Sequence, residues 1–123
     1  MILGIDNVGI AARDPERLAA FYNAIGFQTT YRNERGLTLQ AGQAKLFIFQ
    51  STAASGVTRT HEVFGNPPGL DHMSLLVDDV DASYEALRGS VEFVDAPADQ
   101  EWGARAATLL DPEGNVVFLL RWS

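Results

Sequence analysis

One imidazole stands out as the side chain best placed for chemistry. His72 lies in the run Leu70-Asp71-His72-Met73-Ser74-Leu75-Leu76-Val77, where bulky and small or polar residues alternate as in a strand. An imidazole titrates near neutral pH, so His72 suits a general base, a hydrogen-bond donor to a ligand, or a purely structural hydrogen-bonder. The second histidine, His61, falls in a stretch without period. No cysteine is present, so thiolate nucleophiles, thiolate metal ligands and disulfides are excluded. Neither of the strand-like runs 45–50 and 116–122 contains Glu; they carry Phe47, Phe49 and Phe118 instead. Those rings either stack a flat ligand or fill the space where one would sit. Asn7 offers an amide that orients a ligand or meets water at a strand edge, and Trp102 offers either a stacking wall or a packing contact. Arg105 and Arg121 either pair an anionic ligand group or solvate a surface.

These side chains are positioned by two stretches with the same rhythm. Ile5 to Ala12 alternates as a strand, Asp14-Pro15-Glu16-Arg17 supplies a cap and a first helical turn, and Leu18, Phe21, Tyr22 and Ile25 form the apolar stripe of a helix stopped by Gly26. Extended runs follow near 28–32, 37–41 and 45–50. The beat restarts at Leu70, with Asp79 or Asp81 capping a short helix whose stripe is Val80, Tyr84 and Leu87. Extended runs follow at 91–96, 105–110 and 116–122, the last two joined by the turn Asp111-Pro112-Glu113-Gly114-Asn115. A shift of 65 positions lays Asp6 on Asp71, Asn7 on His72 and Asp14 on Asp79; a shift of 71 lays Phe47 on Phe118. Internal duplication is the economical reading. It predicts an α+β fold of two βαβββ modules, 1–52 and 70–123, joined by a linker over 53–69, with a curved mixed sheet around a cleft and the helices outside. Alternation then turns Asn7, Gly9 and Ala11, and likewise His72, Ser74 and Leu76, toward the cleft.

Composition narrows the partners. The chain has 123 residues, 46% of them hydrophobic, enough for one compact domain. Sixteen acidic residues against nine basic ones leave a net charge of −7, which repels phosphate backbones and anionic lipid and favours a cationic partner. Nucleic acid and membrane are therefore not expected. No apolar run approaches membrane-spanning length and no export signal opens the chain, so a cytoplasmic location is the expectation.

The opening Ile5-Asp6-Asn7-Val8-Gly9-Ile10, with Asp14-Pro15-Glu16-Arg17, Phe21-Tyr22 and Gly26-Phe27, resembles the first module of the vicinal oxygen chelate superfamily. Asp71-His72-Met73, Trp102-Gly103-Ala104-Arg105 and Asp111-Pro112-Glu113-Gly114-Asn115 resemble its second module. The superfamily includes glyoxalase I, extradiol dioxygenases, fosfomycin-inactivating thiol transferases, methylmalonyl-CoA epimerase and bleomycin-binding resistance proteins. Its enzymes hold a divalent metal through His or Glu in the first and last strands of each module. The resemblance places those four positions on Asn7, Phe47, His72 and Phe118. Only one is a good donor, short of the about three protein ligands a catalytic metal needs.

The resemblance, closest to the metal-free bleomycin-resistance branch, implies a small-molecule-binding protein without cofactor or metal. It would sequester an aromatic or cationic compound such as an antibiotic, with Asn7, Phe47, Phe49, His72, Trp102 and Phe118 as ligand-binding residues. The alternatives are a glyoxalase-like lyase or isomerase with His72 as its catalytic group and no metal, and a degenerate structural dimer. A homodimer is implied in each case.

Overall fold

Each helix begins where the sequence supplies a cap. In the computed structural model, which describes residues 1–53, 60, 68 and 70–123, the Asp14 carboxylate accepts a hydrogen bond from the Arg17 amide at 3.1 Å, and α1 runs from Pro15–Ala24 with proline in its first turn. Asp79, rather than Asp81, does the same for Ala82 at 3.0 Å, opening α2 over Val80–Leu87. Asp81 has a different task, described below.

The first unit spans Met1–Ser55. Its strands are β1 (Val8–Ala12), β2 (Gln28–Arg32), β3 (Gly36–Ala41) and β4 (Ala44–Gln50), in the spatial order β1-β4-β3-β2. Strands β1 and β4 are parallel and the other pairs antiparallel. One sheet face packs on α1. Ile10 and Ala12, Leu37 and Leu39, and Leu46 and Ile48 are buried there with Leu18, Ala19, Tyr22 and Phe27. Tyr22 is fully enclosed and takes edge contacts from Phe21 and Phe27, at centroid separations of 5.1 and 5.7 Å. The helix stripe is thus Leu18, Ala19 and Tyr22, whereas Ile25 becomes the C-cap and stays half-buried.

The second unit spans Gly56–Ser123 and repeats the topology. Its strands are β5 (His72–Leu76), β6 (Phe93–Asp99), β7 (Ala104–Leu110) and β8 (Val116–Trp122), in the order β5-β8-β7-β6. Again the first and last are parallel and the rest antiparallel. Val80 is the one fully buried residue of α2, with Tyr84 and Leu87 half-buried, and Tyr84 meets Phe93 edge-on at 4.7 Å. Strand β6 begins two residues later than the sequence pattern indicates and continues through Pro97. It is an edge strand, where a missing amide hydrogen costs no ladder bond. The turn after β7 is built on Asp111, whose buried carboxylate accepts from the amides of Glu113 and Asn115 and from the Asn115 side chain at 2.8–2.9 Å. Gly114 there adopts φ +85°.

The two units therefore share one βαβββ design, as the duplication implies. Most of the expected linker 53–69, His61 included, lies outside the described residues. No helix among the described residues is long and apolar enough to cross a membrane.

An ion cluster ties α2 to its sheet. Arg105 and Arg121 stand opposite each other on β7 and β8, an unfavourable juxtaposition by itself. Arg105 donates to both Asp81 oxygens, at 2.6 and 2.8 Å, and to Asp99 at 3.2 Å; Arg121 donates to the Asp78 carbonyl at 2.6 Å. The hydrogen bond from Arg105 holds the Asp81 carboxyl below the usual carboxylate range, against a smaller opposing effect of desolvation. A depressed folded pKa means that this stabilisation is full above the ordinary carboxylate value, about 4, and is lost as pH falls through the folded value. The thermal midpoint of an Asp81→Asn variant is therefore expected to lie below that of the wild type at pH 6 and to converge with it as the pH is lowered toward 3.

Candidate functional site

The concave face of the second sheet is written by the register of β5, β8 and β7. Ser74 lies opposite Phe118 and Phe118 opposite Thr108; Leu76 lies opposite Leu120 and Leu120 opposite Ala106. Directly paired residues share a face, so His72, Ser74 and Leu76 project with Phe118, Leu120 and Trp122, away from α2. Together with Asp95, Gln100, Trp102 and Thr108 they line a concavity of about 900 Å³, within the range of small-molecule sites.

Its two ends differ in chemistry. At one end the His72 ring meets Phe118 edge-on, with centroids 4.7 Å apart. His72 Nδ1 lies 2.7 Å from Asp71 Oδ1. With the proton on Nδ1, the imidazole donates to that carboxylate and presents the Nε2 lone pair as its free function. The same arrangement recurs at the start of the first unit, where the Asn7 side-chain amide donates to Asp6 at 2.8 Å.

At the other end Trp102 and Trp122 meet edge-on at 5.4 Å. The β6–β7 hairpin explains how. Gln100 and Ala104 pair across it, Gly103 closes the turn with φ +98°, and Trp102 is left at the tip. Trp122 pairs with Ala104, and the Ser123 amide donates to the Gly103 carbonyl at 3.0 Å, which brings the two indoles together. They are 52% and 57% exposed, and nearby Leu76 is 74% exposed. Large apolar surface left open in a concavity is an invitation to a ligand.

Of the residues singled out in the sequence, His72, Trp102 and Phe118 come together in this concavity. Asn7, Phe47 and Phe49 belong to the first unit. There Phe47 and Phe49 stack at 5.5 Å, on a face shared with Gly9 and Ala11 through the β1–β4 register. A Cβ on Gly9 would touch the Phe49 ring at 3.6 Å, and one on Gly36 would meet the Phe47 ring at 3.2 Å. Arg105 and Arg121 point to the other face of their sheet, where the carboxylates and carbonyl described above engage them. Neither lines the concavity.

Seven lining residues carry no signal that was singled out in the sequence, among them Trp122, Thr108, Gln100 and Asp95. Trp122 was within reach, since Phe118, Leu120 and Trp122 follow a strict alternation. Thr108 and Gln100 carry no distinguishing pattern, and Asp95 lies where alternation fails.

The positions that the family resemblance assigns to a metal do not fit one. Phe47 and Phe118 have no lone pair, Asn7 has a single amide oxygen to offer, and His72 is left with Nε2 alone. Among the described residues no group of three or more His, Asp or Glu side chains is close enough to hold an ion.

Comparison with known proteins agrees with this architecture. A curated bleomycin resistance protein of Klebsiella pneumoniae is 27% identical over 126 residues, covering 91% of this chain and 87% of its own. A glyoxalase family protein from Enterococcus faecalis superposes with a TM-score of 0.79 at 22% identity, over 97% of this chain and 98% of the other. A bleomycin-binding protein complexed with bleomycin does so with a TM-score of 0.70 at 24% identity, over 98% and 99%. At these identities the two structures speak for the fold. Residues 4–119 match the Glyoxalase/Bleomycin resistance protein/Dioxygenase superfamily, and the chain belongs to that superfamily.

Proposed function

We propose that the protein is a metal-free binding member of this superfamily that sequesters an aromatic or cationic small molecule, of the kind exemplified by bleomycin, without converting it. The observation that carries this reading is the pair of half-exposed indoles at one end of the concavity, a surface suited to a flat or unsaturated ring. The donor set supports it, because two of the four positions that serve a metal in enzymes of the family are phenylalanines and the other two offer one amide oxygen and one imidazole nitrogen. The curated relative, a bleomycin resistance protein, and the fold relative that holds bleomycin point the same way. The protein acts as a cytoplasmic homodimer in this reading, the second copy covering exposed apolar side chains such as Ile5 and Leu70.

A second reading rests on Asp71 and His72. A carboxylate that fixes the imidazole tautomer and leaves Nε2 free is also how a general base is prepared, which suits proton abstraction by a lyase or isomerase. One experiment separates the two. Chelator-treated protein is titrated calorimetrically with metal-free bleomycin and a panel of planar aromatic antibiotics, and the bound compound is recovered for mass and chiral analysis. Saturable binding with a dissociation constant of about 1 μM or tighter, and unchanged compound, is expected. Recovery of a converted compound favours His72 catalysis, and absence of heat across the panel removes the sequestration reading.

A further inference from the structure

The wall of the concavity holds one carboxylate that no motif points to. Phe93 and Asp95 are two residues apart on β6, so an unbroken strand would turn both to the same face. They face opposite ways. Phe93 packs on Tyr84 of α2, whereas Asp95 lines the concavity opposite Thr108. The register shifts between Phe93 and Asp95 and again between Asp95 and Ala98, and such irregularities re-aim a side chain. Among the described residues Asp95 has no hydrogen-bond or ion-pair partner, whereas nearby Asp99 is held by Arg105. Among the described residues no Lys or Arg lines the concavity, so none of them offsets this charge.

Position adds a second constraint. Asp95, Thr108, Phe118 and Ser74 form one row across the sheet, and Trp122 lies four residues further along β8 on the same face. At about 3.3 Å per residue, the indole pair and the Asp95 row are roughly 13 Å apart along the strand.

We propose that Asp95 is the charge-selecting residue of the site, taking an ammonium or guanidinium group carried on an arm of roughly 10 Å from an aromatic ring that rests on Trp102 and Trp122. The proposal rests on the small-molecule reading above and deepens it. The ligand class becomes a ring and a cation together, held at opposite ends.

Dansylcadaverine, a fused aromatic ring with a flexible primary ammonium arm, and its N-acetyl derivative differ in that charge alone and serve as probes. Calorimetry at low salt is expected to show the wild type binding dansylcadaverine about 10-fold more tightly than the acetylated compound. Asp95→Asn is expected to remove that preference and leave the affinity for the acetylated probe unchanged. Glu92→Gln, an exposed change of equal charge outside the concavity, is expected to retain the preference. Equal binding of both probes by the wild type, or a preference that survives in Asp95→Asn, overturns the role of Asp95 while leaving the site intact. Absence of binding by either probe overturns this proposal, while the small-molecule reading stands or falls with the antibiotic titration.

Discussion

Replacing Trp102 and Trp122 together by alanine is expected to weaken capture of an aromatic ligand by at least 100-fold while leaving the fold standing. A buried aromatic anchor contributes about 2 kcal/mol or more to a binding surface, roughly 30-fold for each ring once a ligand covers it. The two indoles are in edge contact, so each holds the other in place. Removing Trp102 alone leaves Trp122 free to rotate away, and each single variant loses part of the partner's contribution as well. The double variant should therefore cost less than the product of the singles, a coupling that a double-mutant cycle reads directly. Stability should change by less than about 1 kcal/mol, because both rings are already half in water. Calorimetry is the suitable measurement, since the double variant retains no tryptophan for fluorescence. Affinities within threefold of the wild type would show that the indoles merely close the hairpin.

The largest effect on stability is expected at Gly36, whose role is steric. A Cβ there would come within 2.3 Å of the Ile48 carbonyl oxygen and 3.2 Å of the Phe47 ring. The ring can shift; the carbonyl belongs to the backbone of β4, next to β3, and can move only if the ladder opens. Asn33 adds to the constraint, since its side chain accepts from the Arg35 and Gly36 amides at 2.8 and 3.1 Å and pins the turn that enters β3. Gly36→Ala is expected to cost about 3 kcal/mol, and to lower the thermal midpoint by roughly 10 °C. Gly89→Ala is the control, because a Cβ there meets nothing within 4 Å. A loss of under 2 °C in Gly36→Ala would mean that the β3–β4 ladder is looser than its geometry implies.

Local signals carried most of the fold. Asp14-Pro15 and Asp79 mark helix starts because caps act within three residues, and the strand runs 28–32 and 116–122 are bounded by turn residues that act at similarly short range. Contacts at long sequence separation were not readable. Arg105 reaches Asp81 on α2, 24 residues earlier, and nothing in Trp102-Gly103-Ala104-Arg105 announces that partner. The site divides the same way. His72 and Phe118 were found by alternation from the duplicated strands, and Trp122 could have been. Asp95 could not, because period two predicts it beside Phe93 on the helix face, and only the paired register shifts of β6 turn it into the concavity.

The duplication also bears on chemistry. Asp6 with Asn7, and Asp71 with His72, are the same hydrogen-bonded pair in two copies, an acidic residue steadying the polar group that follows it. In one copy the steadied group can accept a proton and in the other it cannot. An imidazole and an amide do not make a divalent-metal centre, and Phe118, which meets the His72 ring edge-on, is a better match to a ring than to an ion.

The chain has two tryptophans, and both line the concavity, so their indole N–H resonances are direct reporters of its occupancy. The decisive measurement follows these two signals in the ¹H–¹⁵N spectrum while chelator-treated protein is titrated with metal-free bleomycin and with dansylcadaverine. Both are expected to shift and saturate with at least one of the compounds, with chelator present throughout. Signals that stay fixed with both, or that move only after a divalent metal is supplied, would contradict metal-free capture at this site.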